Sequence, residues 1–117
     1  MSSPVLYGIR NCDTIKRART WLDESGVDYR FHDYRADGCD AGQIARWCET
    51  LGWETLVNRR GTTWRKLDED RKQGLDTEAA VALMCENPSL IKRPVLESTG
   101  SLLVGFDEEK YRALLHG

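Results

Sequence analysis

The chain has 117 residues, enough to bury one hydrophobic core and too few for two ordinary domains. Apolar residues make up 40% and charged residues 31%, with both signs interspersed, which excludes a disordered polyelectrolyte. A net charge of −2 gives no overall attraction for nucleic acid or an anionic bilayer, so any anion site must be local.

The start, MSSPVLYGIRNC, lacks a basic region followed by an apolar run, and no apolar stretch approaches the length of a membrane span. The expectation is a cytoplasmic protein that binds neither membrane nor, directly, nucleic acid. Cysteines 12, 39, 48 and 85 form no CxxC pair, and His32 and His116 make no ligand-like cluster with them, so no metal is expected. A reducing compartment argues for free thiols.

In chain order, Val5–Tyr7 predicts a short strand, followed by the turn-like stretch Gly8–Cys12. Asp13 or Thr14 can cap a helix whose Ile15, Ala18 and Leu22 share one face, with Trp21 beside it and Gly26 ending it. Tyr29–Tyr34, YRFHDY, alternates as a half-buried strand with Tyr29, Phe31 and Asp33 on one side. Asp40 can cap a helix with Ile44, Trp47, Cys48 and Leu51 on its apolar face, closed by Gly52. A second helix is predicted from about Thr63 to Lys72, and a third from cap Asp76 to Asn87, stopped by Pro88. Val95–Glu97 and Leu102–Val104 then read as a hairpin around Thr99-Gly100, and Asp107 caps a last helix carrying Tyr111, Leu114 and Leu115.

A βαβ opening, a helical interruption and a ββα ending describe an α/β, thioredoxin-like fold with a mixed four-stranded sheet. The division is one domain over 1–117, with a core at about 3–35 and 90–117 and a helical insert at about 36–89. In that arrangement Cys12 stands where the first strand hands over to the first helix, with Arg10 before it and Lys16, Arg17 and Arg19 after it. Unpaired N–H groups at a helix start, the helix dipole and nearby cations all favour a thiolate. The same position also suits a small buried residue with no chemical role.

Three stretches, LYGIRNCDTIKRA, NRRGTTWRKL and IKRPVL, resemble the arsenate reductase-like (ArsC/Spx) family of thioredoxin-fold proteins, above all its YffB-type subgroup. The resemblance spans nearly the whole chain, in order and spacing. It implies a reactive thiolate at Cys12 and an anion pocket to which Arg60 of RRG and Arg93 of KRP contribute, with Arg59 the alternative if the register shifts by one. Asn11 and Thr14 are candidates to place an amide and a hydroxyl near the thiol, and Lys16 to add charge, though capping roles suit them equally. The resemblance further implies a cis Pro94 facing the cysteine. Cys48 and Cys85, beside Trp47 and Met84 on apolar helix faces, read as core packing. Cys39 is the one alternative reactive thiol, and its acidic flanks Asp37 and Asp40 oppose ionisation.

Two departures bear on function. Arsenate reductases of this family carry a third pocket arginine after the hairpin turn, where SLLVGF offers no cation, and Spx-type regulators carry a second cysteine where Ile15 stands. The resemblance therefore implies a cytosolic thiol oxidoreductase with one nucleophilic cysteine, dependent on glutathione as co-substrate and holding no tightly bound cofactor. Glutathione or a glutaredoxin would resolve its mixed disulfide, the substrate would be a small anion or disulfide, and the protein would act as a monomer. The alternatives are a glutaredoxin-coupled arsenate reductase and a non-enzymatic Spx-like module that docks on a transcription partner, for which Arg65, Lys66 and Arg71 offer an exposed face.

Overall fold

The short apolar runs near the two ends of the chain pair into one sheet. A computed structural model describes residues 4–10 and 12–116, with His116 described by its backbone alone. The strands are β1 (Val5–Gly8), β2 (Arg30–Asp33), β3 (Val95–Ser98) and β4 (Ser101–Val104). The helices are α1 (Asp13–Glu24), α2 (Tyr34–Asp37), α3 (Ala41–Leu51), α4 (Trp53–Leu56), α5 (Thr62–Arg65), α6 (Glu69–Lys72), α7 (Thr77–Glu86) and α8 (Glu108–His116), with a 3-10 turn at Pro88–Leu90. The chain divides into two compact units, one reaching Asp37 and resuming at Arg93, the other spanning Gly38–Lys92.

The first unit holds the sheet, in the order β2-β1-β3-β4, with β1 parallel to β2 and antiparallel to β3, and β3 antiparallel to β4. This mixed sheet with its βαβ and ββα halves is the thioredoxin-like fold. Because side chains alternate across a strand, the Leu6–Leu96 pair faces one side, where it meets Ala18 and Leu22 of α1 and Tyr111 of α8, all fully buried. Tyr7 is paired with His32, against which its ring is tilted at a centroid distance of 5.1 Å, and stacks on Tyr34 at 6.2 Å. The final helix starts as its capping residue predicts: Asp107 Oδ1 accepts the amides of Glu109 and Lys110 at 3.0 and 3.2 Å.

Gly8 sets how closely α1 lies on β1. A Cβ there would overlap Ile15 Cδ1 and stand 3.0 Å from Cγ1, and Ile15 is fully buried and stiff at χ1. Gly8→Ala is therefore expected to cost about 1–3 kcal/mol by overpacking, seen as a lower urea midpoint at unchanged m-value. In the β3–β4 hairpin both central residues are left-handed, Thr99 at φ 48° and Gly100 at 83°. That turn geometry favours Asn-Gly, and a β-branched residue there is strained. Thr99→Asn should stabilise the protein by about 0.5–1 kcal/mol, raising Tm by a few degrees in a calorimetric scan.

The second unit is helical. In α3, Ile44, Trp47 and Cys48 are buried, Asp40 caps the N-terminus by accepting the Gly42 amide at 2.9 Å, and Gly52 at φ 85° ends the helix. In α7, Ala80, Val81, Leu83 and Met84 are buried, and Asp76 caps it through the Ala79 amide at 2.9 Å. Thr63–Lys72 is not one helix. It breaks between α5 and α6, where Asp68 is extended at φ −61°, ψ 143°, because neither segment has a buried residue to hold a continuous helix against a core. The unit closes on itself where Val57 bridges Ile91 and the Asn58 amide donates to the Leu90 carbonyl at 2.7 Å.

Candidate active site

Cys12 is itself the N-cap of α1, with extended backbone at φ −114°, ψ 131°, and its carbonyl accepts the Lys16 amide at 3.0 Å. The expected cap, Asp13 or Thr14, is thus displaced into the first turn, because the chain leaves extended geometry one residue earlier than those cap-forming side chains suggest. The Cys12 thiol makes no capping hydrogen bond and is half-buried, so it stays available to a reactant beside the positive end of α1. Asp13, in the same turn, draws on that field with the opposite charge. Thr14 is half-buried and Lys16 exposed; Asn11 lies outside the described residues. Lys16 lines a cavity of about 340 Å³ with Arg17, Trp21 and Phe106, a lining that does not include Cys12. Arg19 serves the structure: its Nε donates to Tyr29 at 3.1 Å and its guanidinium lies 4.5 Å above the Phe31 ring.

At the same end of the sheet lies the second part of the site. Tyr7 pairs with Val95, so Pro94 follows the register one step further, towards the end of β1 from which the Cys12 loop departs. The Arg93–Pro94 peptide is cis, and the Pro94 carbonyl accepts the Gly105 amide at 2.8 Å. Pro94 is buried and Arg93 half-buried. The topology thus brings Cys12 and the Arg93-Pro94 step to one end of one sheet.

In the second unit, Arg60 is exposed on a loop organised by Asn58, whose Oδ1 accepts the Arg60 amide at 3.1 Å. A Cβ on Gly61 would stand 3.0 Å from the Asn58 amide nitrogen, so the glycine of NRRG lets that side chain lie against the loop. Arg59 has its guanidinium 5.7 Å from the Trp53 ring centroid. Arg59, Arg60 and Lys92 line a cavity of about 340 Å³ with Glu54, Val57 and Asn58. Lys92 and Asn58 were not singled out from the sequence. The Asn-x-Arg spacing is a legible turn signal for Asn58, whereas Lys92 joins the cluster only through the Val57–Ile91 bridge. Arg65 and Arg71 are exposed on α5 and α6, as expected; Arg65 also donates to the Arg60 carbonyl at 3.1 Å, and Arg71 is paired with Glu86 at 2.8 Å.

The other cysteines all lie in the second unit. Cys48 is buried, as expected, and burial pushes its thiol up. Cys85 departs from the expected core packing: it is half-buried, and its Sγ accepts a hydrogen bond from Cys39 Sγ at 3.6 Å. The Cys39 thiol is pushed up to about 12, first by burial and then by Cys85, with the flanking Asp40 the smallest of these causes. Among the described residues, no three His, Cys, Asp or Glu side chains group as metal ligands, and no helix is long and apolar enough to cross a membrane.

The family model described as ArsC family matches residues 7–114, nearly the whole chain and parts of both units. The chain belongs to the ArsC family. A solved structure described as the YFFB protein is 57% identical with a TM-score of 0.93, covering 97% of this chain and 99% of that one. A Brucella melitensis protein described as arsenate reductase (ArsC) related is 51% identical with a TM-score of 0.78, covering 96% and 93%. The global transcriptional regulator Spx of Streptococcus pyogenes is 29% identical over 108 residues, 90% of this chain and 79% of its own. The chain is thus similar both to an arsenate reductase-related protein and to a transcriptional regulator.

Proposed function

We propose that this ArsC-family protein is a monothiol oxidoreductase that uses glutathione, with Cys12 as its nucleophile. The observation that carries this reading is that Cys12 caps α1 and has no second cysteine anywhere in the thioredoxin-like unit. Ile15, fully buried, fills the place a CxxC partner would take. The resolving thiol must therefore come from outside this unit, and glutathione supplies it.

The Cys12 thiolate attacks the glutathionyl sulfur of a mixed disulfide RS–SG, forming Cys12–S–SG and releasing RS⁻, which takes up a proton. A second glutathione thiolate then attacks the glutathionyl sulfur, giving GS–SG and regenerating the Cys12 thiolate. The net change is RSSG + GSH → RSH + GSSG. Glutathione carries two carboxylates, so guanidinium groups bind and orient it. Arg93, beside Pro94, and Arg60 are assigned that work, and the cation–π contact of Arg59 with Trp53 supports Arg60 as the substrate-binding member of the pair. Thr14, Lys16 and Asn11 complete the proposed anion-binding set.

A second reading, glutaredoxin-coupled arsenate reduction, draws support from Lys92, a further cation beside Arg60 where the hairpin offers none. One experiment separates the readings. Purified protein is given glutathionylated peptide with glutathione, or arsenate with glutathione and a glutaredoxin, and turnover is followed through NADPH and glutathione reductase. Catalytic reduction of the peptide supports the first reading, of arsenate alone the second. Turnover of neither would leave an Spx-like binding module and refute both enzyme readings.

A further inference from the structure

Two thiols outside the proposed active site lie within reach of each other. Cys39 sits immediately before Asp40, the cap of α3, and Cys85 in the last turn of α7, 46 residues on, with 3.6 Å between their sulfurs. A disulfide needs about 2.05 Å, so closure takes an approach of about 1.5 Å. The Cys39 side has room to make it, since the residue lies in a loop after Gly38 at φ 93°. Both residues are half-exposed, so a small oxidant can reach them, whereas Cys48 is sealed at 5% exposure.

We propose that Cys39 and Cys85 are a second redox site, a dithiol that a low-molecular-weight disulfide such as oxidised glutathione converts to an intramolecular disulfide. Cys85 attacks one sulfur of GS–SG, forming Cys85–S–SG and releasing one glutathione thiolate. Cys39 then gives up its proton and attacks Cys85 Sγ, forming the Cys39–Cys85 bond and expelling the second glutathione. Two electrons pass to the oxidant, and the two thiol protons end on the two glutathione molecules. The order follows from the hydrogen bond: Cys39 holds its proton, which burial and Cys85 together secure, and points it at Cys85. The bond would tie the start of α3 to the end of α7. From there the chain runs into the Pro88–Leu90 turn, whose Leu90 carbonyl holds Asn58 of the arginine loop.

The test uses the full chain carrying Cys12→Ser, which removes the proposed catalytic thiol and makes the outcome independent of it. The protein is equilibrated in glutathione buffers of rising oxidised fraction, quenched in acid, alkylated after unfolding and digested with trypsin. The expected product is a cross-link between peptides 36–46 and 73–92, with alkylation lost from Cys39 and Cys85 in one transition and kept at Cys48. Tm should rise by roughly 5–15 °C on oxidation, and not in Cys39→Ser or Cys85→Ser. In concentrated urea the same cross-link should need an oxidised fraction about tenfold higher or more, because the fold no longer holds the sulfurs together. The proposal is overturned if oxidation stops at glutathione adducts, if no cross-link forms at the most oxidising ratio, or if folded and unfolded chains cross-link alike.

Discussion

Cys12→Ser is expected to bring turnover of a glutathionylated substrate down to the uncatalysed background while Tm stays within a few degrees of the parent. Serine keeps the shape of the side chain but supplies no thiolate, and sulfur exchange needs one. The fold should tolerate the change because Cys12 is only half-buried, makes no capping hydrogen bond and stands at the edge of α1, outside the cluster of Leu6, Ala18, Leu22, Leu96 and Tyr111. Coupled glutathione reductase kinetics with a calorimetric scan on the same sample checks both halves. Retained turnover would move the chemistry to another thiol, and a collapsed fold would make Cys12 a packing residue.

Arg60→Ala and Arg93→Ala are expected to lower kcat/KM for an anionic thiol substrate by about ten- to a hundredfold each. A charge-assisted hydrogen bond contributes roughly 1.5–3 kcal/mol, and each ~1.4 kcal/mol is a factor of ten. Alkylation of Cys12 by iodoacetamide at mildly acidic pH should slow in both variants if the proposed pocket supplies these cations to the thiolate. Arg112→Ala, exposed on α8, is the control that should change neither. Arg65 does not serve as one, because its bond to the Arg60 carbonyl supports the loop. If Arg60→Ala and Arg93→Ala both match the parent, no arginine pocket serves this thiol.

What the sequence made legible follows from range. The α1 face of Ile15, Ala18 and Leu22, the caps Asp40, Asp76 and Asp107, the Thr99-Gly100 turn and the helix stop at Gly52 are all local signals, and each stands in the structure where its chemistry places it. The break between α5 and α6 was hidden because the stretch from Thr63 to Lys72 is rich in helix-forming residues but has no periodic apolar face, and propensity alone does not carry a helix through Asp68. In β2, alternation overran both ends: Tyr29 precedes the strand and Tyr34 opens α2, while Asp33 is buried, its carboxylate accepting the Arg35 amide at 2.9 Å. The contacts that reach furthest along the chain were out of view. Cys39 and Cys85 meet only because α3 and α7 pack, and Lys92 joins Arg59 and Arg60 only because Ile91 bridges Val57. The candidate cysteine, arginines and proline come from the family motif, and of these expectations the cis Arg93-Pro94 peptide stands in the structure, while Asn58, Gly61 and Arg65, which shape the arginine loop, emerge from hydrogen bonds and close contacts.

The most direct measurement of the central claim is to expose the parent protein briefly to a small excess of oxidised glutathione, quench in acid, and map the adducts by mass spectrometry of tryptic peptides. The expected result is glutathione on the peptide carrying Cys12 before any of the other three cysteines has reacted, and its release when reduced glutathione is added. Modification of Cys39, Cys48 or Cys85 while Cys12 remains a free thiol would contradict it.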